Sequence, residues 1–66
     1  MAKARRVLRQ LLKLGWQVSS QKGSHRKLTK PGYPPLVFAF HDNVEIGPVM
    51  LARIAKDAGC RSEDLT

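Results

Sequence analysis

The pattern of apolar residues changes period at Leu14-Gly15-Trp16, and that change does most to limit the folds open to the chain. Before it, Ala4, Val7, Leu8, Leu11, Leu12 and Leu14 recur at helical spacing, while Arg5, Arg9 and Lys13 form an i, i+4 stripe on the other side. Ala2 to Leu14 is therefore an amphipathic helix, with Gly15 as its stop. After it, Trp16 to Lys22 alternates as a half-buried strand does, with Trp16, Val18 and Ser20 on one side and Gln17, Ser19 and Gln21 on the other.

Gly23-Ser24 is a two-residue turn, and His25 to Lys30 is the returning strand of a hairpin. Leu28 is its one strong apolar anchor, which places His25, Lys27 and Thr29 on the opposite face. The Pro- and Gly-rich run Pro31 to Pro35 makes the second turn, and Leu36 to His41 is the third strand, with Leu36, Phe38 and Phe40 on one face. Gly47-Pro48 opens a second helix whose stripe is Leu51, Ile54, Ala55 and Ala58, and Gly59 ends it. Ser62 is placed to cap a last short turn that returns Leu65 to the core. Two hairpin connections make the sheet antiparallel, and helices with one apolar face each belong on one side of it. The expectation is an α+β domain of order α-β-β-β-α, an architecture that resembles the double-stranded-RNA-binding-domain fold.

At 66 residues the chain is expected to form one domain with a thin core, since a domain of this size buries only about 60% of its unfolded surface. Deep ligand pockets take roughly 300 Å³ or more, so any chemistry belongs on an open surface, against a polymer. The net charge of +7 is one-sided: Lys3, Arg5, Arg6, Arg9, Lys13, Lys22, Arg26, Lys27 and Lys30 all precede the first acid, Asp42. Such a distribution favours a polyanionic partner. Cys60 stands alone, so no internal disulfide staples the fold and a reducing, cytoplasmic setting is expected. No apolar run approaches the roughly 20 residues that span a bilayer.

The two histidines, His25 and His41, do not combine with other ligands at metal-site spacing, and no cofactor is expected. His25, flanked by Lys22, Ser24, Arg26 and Lys27, suits RNA cleavage through the substrate's own 2′-hydroxyl. An imidazole can take or give a proton near neutral pH, and nearby cations offset charge that builds on the phosphate. The residues expected to hold RNA are Lys22, Gly23, Ser24, Arg26 and Lys27, joined by Arg5 and Arg9 from the first helix. His41 is expected to bond a backbone carbonyl at the end of its strand. Two other readings fit the charge: a non-catalytic RNA-binding module, and an inactive domain that holds an acidic protein.

One run of residues narrows the choice. Leu14-Gly15-Trp16, then Gln21-Lys22-Gly23-Ser24-His25, Phe40-His41, and Pro48 with Leu51, Ile54, Lys56, Ala58 and Gly59 resemble the HicA toxins of toxin–antitoxin pairs. That resemblance implies an mRNA-cleaving ribonuclease, a catalytic role for His25 and a HicB antitoxin as partner. The chain departs from the family pattern in three places: Arg26 where a second His is common, Ala39 where a Pro is frequent, and Val49-Met50 after the helix-opening Pro.

Overall fold

The computed structural model describes residues 2–66. In chain order it contains β1 (Ala2–Lys3), α1 (Ala4–Lys13), β2 (Gln17–Lys22), β3 (His25–Thr29), β4 (Leu36–Ala39), β5 (Glu45–Ile46), α2 (Pro48–Ala58) and a closing 3₁₀ turn, Ser62–Leu65. The fold is α+β, and the expected α-β-β-β-α order is present. The main sheet is antiparallel with order β2-β3-β4.

Both helices end as their sequences predict. At α1, Gly15 N–H donates to Leu12 O and Trp16 N–H to Leu11 O, each at 3.1 Å, so Trp16 belongs to the helix cap and β2 starts one residue later than its alternation suggests. Trp16 is nonetheless buried, beside Leu11 of the same cap. At α2, Gly59 takes φ +72°, and the Cys60 N–H reaches back to Ala55 O at 2.9 Å. An added Cβ on Gly59 would sit 2.6 Å from the Tyr33 ring, so close approach as well as backbone conformation requires glycine there.

One core joins the layers. Val7 and Leu11 of α1, Leu51, Ile54, Ala55 and Ala58 of α2, and Leu28, Leu36 and Phe38 of the sheet are all buried together. Leu28 pairs with Leu36, and Phe38 shares their face, so the helices cover that side of the sheet. The other side is exposed, as the parity of His25 and Leu28 predicts.

Five local expectations are corrected. Ala2–Lys3 is not helical: it pairs antiparallel with Glu45–Ile46 as a second, two-stranded sheet. The segment just before β5 satisfies the start of α1, where Ala4 N–H donates to Val44 O (2.8 Å) and Arg5 N–H to Asp42 O (3.1 Å). β4 stops at Ala39, because Ala39 pairs with His25, the first residue of β3, and beyond it lies only the Gly23-Ser24 turn. Phe40 and His41 thus leave the sheet.

A bulge at Ser19 resets the alternation of β2. Val18 pairs with Leu28, but Ser20 pairs with Lys27 and Gln21 with Arg26, so Gln21 returns to Val18's face. The Ser19 hydroxyl secures the bulge by donating to Lys27 O at 3.1 Å. Every residue of β2 is exposed, so it is a wet edge strand and not half-buried. The closing turn does bury Leu65, but its cap is the Asp64 carboxylate, which accepts the Arg61 N–H at 3.0 Å; Ser62 does not supply it.

Candidate active site

The hairpin that carries His25 is set by two residues. Gly23 takes φ +61° while Ser24 keeps a negative φ, the pattern of a tight turn that wants glycine first. Lys22 and His25 become direct cross-strand partners, and His25 is also opposite Ala39 on β4. The imidazole therefore stands in the central strand, on the uncovered face, with an amine on one side and a methyl group on the other. Lys27 follows on the same face, opposite Ser20 and Val37. Lys22, His25 and Lys27 are all exposed, and among the described residues no carboxylate lies within ion-pair range of either lysine. This face can present a proton-transfer group between two positive charges to anything that reaches the open sheet.

Arg26 turns the other way. It pairs with Gln21 and Phe38, on the helix side of the sheet, and only 16% of its side chain is exposed. Its guanidinium donates to Phe40 O at 3.5 Å and to Asp42 Oδ1 at 3.4 Å. Both contacts are long for charge-assisted hydrogen bonds, which favour 2.7–2.9 Å, so each is weak alone. Together they lash the hairpin to the segment that follows β4.

That segment shapes a recess at the end of the sheet, lined by Gly23, Ser24, Arg26, Phe40, His41 and Asp42. The His41 carbonyl accepts the Val44 N–H at 3.0 Å, closing a turn. The expected bond from the His41 ring to a backbone carbonyl does not form: among the described residues the imidazole has no hydrogen-bond partner, and the residue is exposed. The part played by Phe40, His41 and Asp42 was readable only by counting register from the Pro31–Pro35 turn, which sets position 41 against the hairpin tip.

Arg5 and Arg9 lie in the helical layer, apart from the face of His25. With Lys3 and Arg6 they line a second open recess at the start of α1. The structure thus brings Lys22, His25 and Lys27 onto one face around the Gly23-Ser24 turn, and places Arg26, Arg5 and Arg9 elsewhere. Among the described residues no three His, Cys, Asp or Glu side chains gather as a metal site requires, and no helix is long and apolar enough to cross a membrane.

A search among curated proteins finds no match. The family model described as the HicA toxin of bacterial toxin–antitoxin systems matches residues 4–60 of the 66. That span holds both helices and the whole three-stranded sheet with its Lys22-Gly23-Ser24-His25 hairpin, and the chain accordingly belongs to the HicA toxin family, the toxin component of a toxin–antitoxin system.

Proposed function

We propose that this toxin is an endoribonuclease that cleaves mRNA in the cytoplasm, with His25 as its acid/base residue and no metal in the reaction. The observation that carries the reading is the exposed His25 ring in the central strand of an uncovered sheet face, between Lys22 and Lys27.

The chemistry needs few parts. His25 takes the proton of a ribose 2′-hydroxyl, and the freed oxygen attacks the adjacent phosphorus. A P–O2′ bond forms as the P–O5′ bond breaks, and the departing 5′ oxygen takes a proton from water or from a second acid. Lys22 and Lys27 offset the charge that accumulates on the phosphoryl oxygens, and the Gly23-Ser24 turn lets the RNA backbone approach closely. Proton transfer of this kind supplies about 10²–10⁴-fold, which fits a toxin of modest speed. The partner antitoxin, a HicB-type protein, then acts by covering this face, and acidic groups on it would complement the lysines.

The test compares growth arrest and RNA breakage by the wild type and by His25→Ala. Loss of both in the variant, with the fold retained, supports the proposal. Equal breakage by the two proteins ends it and leaves a non-catalytic RNA-binding module of the same fold.

A further inference from the structure

Four cations gather at the start of α1. Lys3, Arg5, Arg6 and Arg9 line one concavity. Arg5 and Arg9 stand a helical turn apart on the exposed side, and among the described residues no carboxylate is within ion-pair range of either. Lys3 meets Glu45 only at 3.9 Å, with both side chains about half exposed, and Arg6 donates to the main-chain oxygen of Thr66 at 3.3 Å. Like charges gathered in one recess repel, and a shared anion relieves that repulsion.

This recess lies next to the one at the end of the sheet. The Arg5 N–H donates to Asp42 O at 3.1 Å, and Asp42 is itself part of the lining of the hairpin-end recess. A lining residue of one is thus bonded to a lining residue of the other. The first is lined by the half-buried Phe40 and the exposed His41, rings on which a base can stack, beside Arg26 and the Asp42 carboxylate with which it is paired. The second presents cations alone.

We propose that the two recesses form one track for single-stranded RNA. The nucleotide next to the severed bond occupies the hairpin-end recess, and the phosphates beyond it run into the recess of Lys3, Arg5, Arg6 and Arg9. This rests on the cleavage reading above and adds to it the direction in which the substrate leaves the site. An acidic protein would meet the same charges, and arginine is itself common at protein interfaces, but there it accompanies aromatic side chains; the α1 recess is lined by three arginines and a lysine with no aromatic beside them, which suits a run of phosphates better.

The probe is single-stranded 2′-O-methyl RNA of increasing length, which lacks the 2′ proton and cannot be cut, with affinity read by fluorescence anisotropy across a salt series. For the wild type, affinity should rise with length and fall steeply with salt. The double variant Arg5→Gln/Arg9→Gln should lose the gain from length and flatten the logarithmic salt slope by about 1.4, at roughly 0.7 per phosphate contact on a single strand. Arg53→Gln/Lys56→Gln, which removes the same charge from the exposed side of α2, should leave both unchanged. Equal slopes in the wild type and the Arg5/Arg9 variant overturn the track, as does an equal loss in both double variants, which makes the effect one of net charge. Retained RNA binding with lost binding to the antitoxin assigns the cluster to protein contact and also overturns it. The cleavage reading is judged separately, by RNA breakage in the wild type against His25→Ala.

Discussion

Arg26 donates to Asp42 Oδ1 at 3.4 Å from a strand position whose neighbour, His25, points to the opposite face of the sheet. Adjacent residues of one strand thus serve two ends. His25 is presented to the outside, while Arg26 ties the hairpin to the segment that carries Phe40 and His41. The Arg26 guanidinium spans to a carboxylate and a carbonyl at once.

That tie has a measurable weight. Arg26→Ala removes two long hydrogen bonds and a largely covered side-chain stem, and should cost about 1–2 kcal/mol. Asp42→Asn should cost less than about 1 kcal/mol, because its carboxylate is 59% exposed and well screened. Urea unfolding midpoints of the two variants check the order.

His25 itself should matter little to stability. It is exposed and, among the described residues, its ring makes no hydrogen bond. His25→Ala should leave unfolding free energy within about 0.5 kcal/mol of the wild type, while RNA breakage falls by ~10²–10⁴-fold. A melting curve and a cleavage assay on one preparation separate the two effects, and a large drop in melting temperature would contradict the exposed placement.

Two glycines with positive φ should respond differently to alanine. Gly23 (φ +61°) has nothing within 4 Å of an added Cβ, so Gly23→Ala carries only the backbone strain, roughly 1–2 kcal/mol. At Gly59 (φ +72°) the Cβ would also collide with the Tyr33 ring, which packs 5.6 Å from the Trp16 ring. Gly59→Ala should therefore cost more than Gly23→Ala, and Tyr33→Ala in the same chain should recover part of the excess. Thermal unfolding of the three variants tests this.

The Cys60 thiol should be sluggish and should link stability to alkaline pH. Its pKa is raised, first by burial and then by the Asp64 carboxylate, with Lys30 opposing. A thiol that ionises less readily when folded stabilises the fold fully at pH values below its unfolded pKa, and that contribution is lost as pH rises through the folded value. Unfolding midpoints should fall slightly as pH climbs above the ordinary thiol range, and Cys60→Ala should weaken the fall. Reaction with a disulfide reagent near neutral pH should be slower than for a free thiol in a short peptide.

Much of this molecule is local in origin. Six apolar residues at helical spacing with a glycine after them specify α1 wherever it sits, and a proline and a glycine bracket α2. The Gly23-Ser24 turn and the two-residue period then force His25 and Leu28 onto opposite faces, so the exposure of the candidate catalytic ring followed from sequence alone.

Other features exist only through partners distant in the chain. Ala2–Lys3 and Glu45–Ile46 are too short to carry a period, and each is a strand only because the other is there. The Ser19 bulge has no signature in a polar run, since its cause is the register that Leu28 and Lys27 impose across the hairpin. Arg26 and Arg5 read as equivalent cations in the sequence, yet the guanidinium of one is half-buried and bonded to Phe40 O and Asp42, while among the described residues the other has no carboxylate partner. Local chemistry determined which elements form and which way their side chains alternate. Where those elements meet, and hence which charges are already paired and which stand ready for a ligand, was decided by packing, because both depend on groups that come together only once the chain has folded.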